Sequence, residues 1–507
     1  MPEETVETLA YRGGHRSGGA GVRRVSGEGG RDGGNIHMPT TSNPSRITRR
    51  SFVLAAGGAA ACSDTVSVKP TLADDPLAAR LLQMSDEQLA RLEEGRREGL
   101  LELAPVSLPP DPEALNNHYG WPVGTQAGDT LIVVHRHIPG HWTGLERTND
   151  DHSYTMVVRS TDGGKTWSRP FDLRQAMTRE DRYRGGHIPL AHRYKFAPDQ
   201  DPTLGYKIHL NAIGTTSDGG VVIVSDHGVF RSDDQGKTWK HFSTAMREDT
   251  TPGAVLYIGP RLFEHPDYGL VVVGHSNIVT EDYKKGLHPP DTTGGTVRIA
   301  DKLHFRYSQD GGASWREEEQ SLPSFVRPGE PVALYHDGKL VVVSRSYDPA
   351  AYDEATDTSV YAQLWSDHGW HPLAAKHSTI RVEGKRGRQD TLDIDYNPVT
   401  QRIEAAVPAR AGGGEGRPYP GQMSLNLWSI DPEALFAGSA DWHFECSLFA
   451  RKEPLGKIDG LHPGGAVIDE GRGVQHIFVY MGYPAGPSGV FRVTRSLETE
   501  KLKAFLG

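Results

Sequence analysis

Charged and histidine side chains recur near the ends of short apolar runs that have the pattern of β-strands. Glu330 precedes and Arg345 follows an apolar hairpin with an Asp-Gly turn at residues 337–338. Opposite charges at the ends of adjacent strands can hold each other in place, and carboxylates, imidazoles and phenols can transfer protons during catalysis. The candidate catalytic residues are Glu330, Asp151, His118, His137 and Tyr257, and the candidate substrate-binding residues are Arg345, His209, Arg261, Asp390, Arg410 and His462.

The histidines admit three interpretations. The chain has 23 of them, and several lie at predicted strand ends. His135 and His137 alternate along one predicted strand, so their side chains point to the same face. Together with His118 they could bind a divalent metal ion. They could equally act as acid–base or sugar-binding groups, or share no role at all. No other cofactor is predicted.

A repeated turn organises the strands that would carry these residues. Its pattern is Ser-x-Asp-x-Gly-x-Thr/Ser-Trp, at residues 160–167, 232–239 and 308–315, with a worn copy at 366–370. The Asp can accept bonds from backbone N–H groups within its own turn, the Gly supplies positive φ, and the Trp is an apolar anchor. A turn that recurs at roughly regular intervals indicates a repeated β unit, such as a propeller. The turn residues predicted to be structural are Asp162, Trp167, Asp234, Trp239, Asp310 and Trp315.

The whole chain is interpreted as three parts. Residues 1–62 are a disordered extension followed by an export signal, and residues 63–104 are a linker and a helical segment. In that segment leucines recur near helical spacing over residues 76–103, with Ser85 and Gln88 as a capping box. Residues 105–507 contain six β units, which predicts an all-β six-bladed propeller. The 59 Gly and 34 Pro residues fit many short strands joined by turns.

The three turns resemble the Asp-boxes of the sialidase (neuraminidase) superfamily, most of whose members are six-bladed β-propellers. This resemblance implies that the turns lie on blade rims, away from the active site. Glu330 and Arg345 match a sialidase segment in which the Glu assists a Tyr nucleophile and the Arg binds the substrate carboxylate. The family's acid–base residue is an Asp in the loop before the first box, and Asp150 or Asp151 could take that place here.

Other parts of the sialidase pattern are absent. Residues 118–122 (His-Tyr-Gly-Trp-Pro) stand where the family has Phe/Tyr-Arg-Ile-Pro, so Gly120 replaces the first of three substrate-binding arginines. Residues 459–462 (Asp-Gly-Leu-His) stand near the expected place of the Tyr nucleophile, and Arg410 is only a nearby candidate for the third arginine. Because the arginine triad is not intact, the substrate need not be sialic acid.

Three functions remain open. The first is an exported glycoside hydrolase of the sialidase superfamily that uses Glu330 and Asp151 as its carboxylate catalysts. The second follows from a weaker resemblance of His118 and His137 to the paired histidines of propeller polysaccharide lyases, which cleave uronate polymers by β-elimination. It implies His137 or Tyr257 as base, with Arg345 or Arg261 neutralising the enolate. The third is a non-catalytic glycan-binding or interaction propeller, because a fold alone does not decide function.

The N-terminal region indicates export. Residues 48–54 (Thr-Arg-Arg-Ser-Phe-Val-Leu) and the short apolar stretch after them resemble a twin-arginine signal. Residues 59–62 resemble a lipobox, with Cys62 as the lipidated residue. A periplasmic, cell-surface or secreted protein is therefore expected, with lipid anchoring to a bacterial membrane as one form. The net charge of −10 argues against a nucleic-acid partner, a glycan is the expected substrate, and the sequence does not indicate an oligomeric state.

Overall fold

The protein is mostly β-structure, which confirms the predicted class. The fold is known from a computed structural model, and strands greatly outnumber helices in the part of the chain that it describes. Among those residues, no helix is long and apolar enough to cross a membrane. The described residues are 60–61, 66–67, 75–114, 117–138, 154–178, 208–209, 211–225, 227–243, 254–279, 297–323, 325–326, 328–346, 348–384, 389–410, 422–454, 456–484 and 486–507.

The elements are short, as expected for a chain rich in Gly and Pro. The α-helices of the described residues are α1 (Pro76–Leu82), α2 (Asp86–Arg97), α3 (Pro432–Phe436) and α4 (Thr499–Leu506), and 3-10 turns occur at Leu173–Ala176 and Pro349–Ala351. The strands are β1 (Ala60–Ala61), β2 (Val66–Ser67), β3 (Leu101–Ser107), β4 (His118–Ala127), β5 (Thr130–Ile138), β6 (Tyr154–Ser160), β7 (Trp167–Ser168), β8 (Phe171–Asp172), β9 (Ile208–His209), β10 (Ala212–Thr215), β11 (Val221–Ser225), β12 (Gly228–Ser232), β13 (Thr238–Ser243), β14 (Ala254–His265), β15 (Gly269–Val279), β16 (Val297–Ser308), β17 (Arg316–Ser321), β18 (Pro328–His336), β19 (Lys339–Ser346), β20 (Tyr352–Asp353), β21 (Thr358–Ser366), β22 (Ala374–Glu383), β23 (Asp393–Asn397), β24 (Arg402–Ala409), β25 (Met423–Ile430), β26 (His443–Arg451), β27 (Asp459–Gly460), β28 (Val467–Asp469), β29 (Val474–Gly482) and β30 (Ser488–Ser496).

Strands that follow one another in the chain pair antiparallel, and the pairs form successive groups. In chain order the groups are β4-β5-β6-β8, β10-β11-β12-β13, β14-β15-β16-β17, β18-β19-β21-β22, β23-β24-β25-β26 and β28-β29-β30. The last group gains β3, which precedes all the others in sequence and pairs antiparallel with β30. Single parallel contacts join neighbouring groups, between β10 and β14 and between β30 and β4.

The sheets are buried on both faces, which explains their continuous apolar runs. In β11 the side chains of Val221 and Ile223 pack on one side, whereas Val222 and Val224 pack in a different core cluster. Side chains alternate between the faces of a strand, so a run of four apolar residues supplies two cores at once. The loops at the strand ends are therefore the places where polar groups can collect.

The Asp-box turns fold as predicted. In the second copy, the Asp234 carboxylate accepts the backbone N–H of Thr238 at 2.8 Å, and the Ser232 hydroxyl accepts that of Gly236 at 2.8 Å. The Trp239 indole N–H donates to the carbonyl of Gly236 at 3.0 Å. The first and third copies repeat this pattern of bonds.

The worn copy at 366–370 differs from the three complete boxes. The indole of Trp370 donates at 3.1 Å to Glu318, which lies on a strand of the preceding sheet. Its ring also stacks on Tyr268 at 3.8 Å between centroids. Because the sequence at this turn lacks the Ser/Thr–Trp ending, the Trp anchors a contact between sheets and does not close its own turn.

The predicted helix over residues 76–103 is wrong at its C-terminal end. Gly99 adopts φ +68 after α2, and β3 follows at Leu101–Ser107. Leucine spacing fitted a helix, but burial of β3 alternates from Leu101 to Ala104, as in a strand. The predicted boundary between residues 104 and 105 therefore cuts through β3, which belongs with the last sheet.

The capping box at the start of α2 is only half formed. The hydroxyl of Ser85 accepts the backbone N–H of Gln88 at 3.2 Å, as predicted. The side-chain oxygen of Gln88 instead accepts the backbone N–H of Ala450 at 2.7 Å. The side chain of Gln88 thus makes a tertiary contact and does not complete the capping box. This contact ties α2 to β26.

Arg451 fixes α1 against the last two sheets. Its guanidinium is fully buried and donates to the carbonyls of Leu82 at 2.9 Å, Leu81 at 2.6 Å and Gly482 at 3.2 Å, and also to that of Asp459. Burial lowers the pKa of Arg451 to about 10. The carbonyls at the end of α1 have no further helical partner, so Arg451 satisfies them and joins the helix to the segment that carries Asp459.

We predict that Arg451→Met strongly destabilises the protein. The variant leaves buried carbonyls without a donor, and each such group costs about 1–3 kcal/mol. The free energy of unfolding, measured by urea titration, should fall by several times the change caused by Lys452→Met, a neighbouring exposed residue. Equal losses in the two variants would contradict this role.

Candidate active site

Five of the predicted residues lie together where strands from three sheets end. Glu330 and Arg345 are on β18 and β19. Asp390 precedes β23 and Arg410 directly follows β24, while His462 lies in the loop between β27 and β28. The fold therefore collects side chains that are far apart in sequence into one polar cluster, which we call the charge cluster.

Glu330 and Arg345 form the more exposed half of the charge cluster. Gly329 pairs with Arg345 in the β18–β19 register, and the register then shifts before Val332. The carboxylate of Glu330 accepts a bond from Arg345 Nη1 at 2.8 Å and another from the hydroxyl of Thr391. The side chains of Glu330 and Arg345 are 17% and 12% exposed, so this pair can meet a ligand.

Asp390 forms the buried half of the charge cluster. Its carboxylate accepts bonds from Arg410 Nε at 2.7 Å and from the backbone N–H of Thr391 at 2.9 Å. Its other contact is with His462 Nδ1 at 3.1 Å. The backbone carbonyl of Asp390 accepts the hydroxyl of Tyr361 at 2.8 Å. With Asp390 1% exposed and Arg410 7% exposed, both charges are neutralised in place.

The arginines keep both carboxylates ionised. Burial would raise the pKa of Glu330, but the charge of Arg345, followed by that of His462, outweighs burial and lowers it to about 2. Burial likewise opposes ionisation of Asp390, but Arg410 and His462 hold its pKa far below the usual range. Neither carboxyl group therefore carries a proton near neutral pH.

A layer of aromatic and polar side chains lies beside the charge cluster. Tyr480 donates its hydroxyl to Asp459 at 3.3 Å, and its ring packs against His118 and Trp121 at 5.6 and 5.5 Å. Burial, followed by the negative charge of Asp459, raises the pKa of Tyr480 well above its ordinary value. Tyr480 is fully buried, so it acts as a neutral donor in the wall of the site.

Three residues of this region have positive φ although they are not glycine. Trp121 has φ +49, Glu330 has φ +52 and Leu461 has φ +64. Such backbone conformations are costly for bulky side chains, and they persist where the surrounding structure imposes them. The backbone N–H of Glu330, for example, donates to His275 Nδ1 at 3.0 Å. The strain supports a functional interpretation of the region.

Gly120 lies beside the aromatic layer, at the place of the missing sialidase arginine. A Cβ atom at Gly120 would lie 3.4 Å from the His118 ring and 3.9 Å from Tyr480. The rings of His118 and Tyr480 thus occupy the space next to this position.

The ligand atoms of Glu330, Asp390 and His462 lie within 4.8 Å of one another, as a metal site would require. The adjacent guanidinium groups of Arg345 and Arg410 already neutralise both carboxylates. A cation would have to compete with them, so the donor set favours an ion-paired cluster over a metal centre.

The structure separates the histidines that were predicted to act together. In the β4–β5 pair, His118 lies opposite Ile138 and Tyr119 lies opposite His137. Directly opposed residues share a face and neighbours alternate, so His118 and His137 are on opposite faces of the hairpin. His137 packs on Tyr119 at 4.4 Å, as His135 does at 5.0 Å. The predicted lyase-like pair and the predicted three-histidine metal group are therefore not brought together.

Arg261 is also placed away from the predicted role. Its guanidinium bonds to Asp393 at 3.0 Å, to Asp395 at 3.2 Å and to the carbonyl of Ala466 at 3.2 Å. The opposite charges outweigh burial and raise its pKa. Arg261 thus ties β14 to β23 through an ion pair, with its side chain 17% exposed.

The remaining predicted residues fall at or beyond the edges of what the structure describes. The backbones of Tyr257 and His209 pair in register between β14 and β9, but their side chains lie outside the described residues. Asp151 and Cys62 lie outside them as well. Their predicted roles stay predictions.

Sequence reasoning missed several residues that hold the charge cluster in place. Thr391 bonds to Glu330, and Tyr361 supports Asp390 from a different strand. His275 accepts the backbone N–H of Glu330, and burial lowers the pKa of its imidazole to about 3. Thr391 follows Asp390 directly, but no local pattern in the sequence distinguishes Thr391 or Tyr361 from an ordinary strand residue. His275 differs, because it follows the apolar run at residues 270–273 and is one of the histidines at predicted strand ends.

Comparison with known proteins supports the Asp-box resemblance. The sequence model of the BNR/Asp-box repeat family matches residues 158–169 and 230–241, which contain the first two boxes. No curated protein matches the chain.

Several solved structures are similar in fold at low identity. A protein of unknown function from Dyadobacter fermentans is 14% identical over 77% of this chain and 98% of its own, with a TM-score of 0.47. An α-L-arabinofuranosidase from Fusarium graminearum is 14% identical over 78% of this chain and 98% of its own, with a TM-score of 0.43. A sialidase from Trypanosoma rangeli is 11% identical over 79% of this chain and 59% of its own, with a TM-score of 0.42.

We predict that Glu330→Gln lowers the free energy of unfolding above pH 4.5 and lowers it less as the pH falls. The folded-state pKa of Glu330, about 2, is below its ordinary value of 4.5. The ionised side chain therefore stabilises the fold above pH 4.5, and this stabilisation is lost as the pH falls through about 2. Urea unfolding should show the deficit of the variant shrinking across that range. A deficit that does not change with pH would contradict the assignment.

Proposed function

We propose that the protein is an exported glycoside hydrolase whose active site is the charge cluster at the axis of a six-bladed, sialidase-like propeller. The successive antiparallel groups of strands, with β3 completing the last, support the count of six blades. The single observation that carries the functional proposal is the partly exposed Glu330–Arg345 pair beside the buried Asp390–Arg410–His462 group. Ligand sites commonly have a few polar groups that converge in this way.

The chemistry of the pair suits a sugar substrate. An ionised carboxylate at Glu330 would stabilise the positive charge that develops on the anomeric carbon during glycosidic cleavage. The guanidinium of Arg345 can bind a carboxylate or hydroxyl group of the sugar. Asp151, by its resemblance to the family's acid–base residue, would protonate the leaving oxygen.

The substrate of the proposed enzyme need not be sialic acid. The first arginine of the sialidase triad is replaced by Gly120. Arg345 and Arg410 are each already paired with a carboxylate of the charge cluster. A neutral or uronic sugar that contacts the edge of Arg345 therefore fits the site as well as a sialoside does.

Export is part of the proposal and rests on the sequence. The twin-arginine pattern at residues 49–50 would direct the folded chain out of the cytoplasm, and lipidation of Cys62 would anchor it to a membrane. Cell fractionation of the full-length chain tests this localisation, and retention in the cytoplasm would contradict it.

A glycan screen tests the proposed activity directly. The full-length protein is incubated with acidic and neutral glycans, and both new reducing ends and the ultraviolet absorbance of unsaturated uronate are measured. A hydrolase gives reducing ends without absorbance. Absorbance would establish the lyase alternative, and the absence of both signals across the panel would favour a glycan-binding propeller.

We predict that Glu330→Gln lowers kcat/KM on the glycan found in this screen by about 10²–10⁴-fold, as expected for loss of one catalytic group. The same carboxylate-to-amide change at exposed Glu87 is the matched control and should leave turnover unchanged. Thermal unfolding of both variants shows whether the chain remains folded. Full activity in a folded Glu330→Gln variant would contradict the assignment of the site.

A further inference from the structure

His462 is held in a fixed orientation inside the charge cluster. It follows Leu461, a fully buried residue with φ +64, so the loop is constrained on its N-terminal side. Its Nδ1 lies 3.1 Å from an oxygen of Asp390. Asp390 is ionised and accepts bonds only, so Nδ1 donates this bond and Nε2 is the ring nitrogen that remains for chemistry.

The two carboxylates of the charge cluster are occupied by other partners. Glu330 accepts bonds from Arg345 and Thr391, and Asp390 accepts bonds from Arg410, His462 and the backbone of Thr391. Their lone pairs already take part in charge-assisted bonds. In contrast, the bond to Asp390 is the one hydrogen bond that the His462 ring makes with described residues.

The groups around His462 are mostly charged or polar. The carboxylates of Asp390 and Glu330 lie within 4.8 Å of its ring nitrogen. The ring centroid of Tyr480 lies 6.4 Å from that of His462, and the Tyr480 hydroxyl donates a hydrogen bond to Asp459. Arg345 pairs with Glu330 and Arg410 pairs with Asp390, so the charges of the two carboxylates are balanced. The buried charges beside His462 are thus paired with one another.

We infer that His462, oriented by Asp390, is the general base that activates water in the proposed glycoside hydrolase. The inference rests on the proposed function and assigns a residue to one step of it. Nε2 takes one proton from a water molecule while the water oxygen forms a bond to the anomeric carbon. The bond from that carbon to the leaving oxygen breaks with its electron pair, and the leaving oxygen takes a proton from the general acid of the proposed hydrolase.

This assignment has a stereochemical consequence. Direct attack by water on the face opposite the leaving group inverts the anomeric configuration, whereas a covalent intermediate would retain it. Asp390 then acts as a positioning residue, since it fixes the tautomer of the imidazole in the way that an Asp orients a catalytic His. In the sequence, His462 stands near the position where the resemblance to sialidases implies a Tyr nucleophile.

The test compares wild type, His462→Ala and His443→Ala, a change at an exposed histidine, in the full-length chain. The probes are 4-nitrophenyl glycosides of arabinofuranose, glucuronic acid and N-acetylneuraminic acid, and proton NMR identifies the first anomer formed. We expect an inverted product from wild type and His443→Ala. In His462→Ala, kcat should fall by about 10²–10⁴-fold, and the limb of the pH profile that reports the base should disappear.

Sodium azide distinguishes a catalytic base from a structural residue. Azide needs no deprotonation to act as a nucleophile, so it should restore turnover of His462→Ala and yield a glycosyl azide of inverted configuration. A retained product from wild type, a loss of less than about threefold in His462→Ala, or a loss that azide does not rescue would each overturn the inference. Those outcomes leave the hydrolase proposal intact, whereas absence of cleavage by wild type on every glycan and glycoside refutes both.

Discussion

The ion pair between Asp390 and Arg410 is the interaction on which the site depends. Both groups are almost fully buried, and a buried charge is tolerated only when it is paired and hydrogen-bonded. Asp390 precedes β23 and Arg410 follows β24, so the pair lies at one end of this antiparallel strand pair. The remaining bonds of Asp390 then reach His462 and Thr391, and Thr391 leads to Glu330. One neutralised carboxylate thus fixes groups from three sheets.

The charge cluster separates two kinds of group by their partners. Glu330 and Asp390 are held ionised by arginines, which makes them suitable for stabilising positive charge and unsuitable as proton donors. His462 is oriented by one bond and keeps a second ring nitrogen for chemistry. The buried Tyr480–Asp459 pair forms the neighbouring wall. Environment therefore sets the role of each residue, because arginines hold the two carboxylates ionised and the bond to Asp390 orients the imidazole.

The sequence predicted the repeated unit better than it predicted the site. The Asp-box bonds are local, within five residues of Asp162, Asp234 or Asp310, and so their pattern is visible in the chain. Glu330 and Arg345 were also found, because a hairpin brings them together. The placement of His118 and His137 on opposite faces of one hairpin could not be predicted, because a one-residue change in register moves a side chain to the other face.

Long-range pairing could not be predicted from local pattern. The partner of β3 is β30, near the other end of the chain, so leucines that suited either a helix or a strand were assigned to a helix. The attachment of Arg261 to Asp393 and Asp395 likewise depends on how β14 and β23 pack together. Asp390, Arg410 and His462 were candidates because they lie at predicted strand ends. Their pairing with one another depends on how the sheets assemble and could not be read from the sequence.

The most direct test of the account is a crystal structure of the Glu330→Gln protein soaked with the oligosaccharide that the wild type cleaves. Our account predicts sugar density at the charge cluster, with a polar group of the sugar against Arg345 and the anomeric carbon facing His462. An ordered sugar bound elsewhere on the protein, with the charge cluster unoccupied, would contradict the central claim that this cluster is the active site.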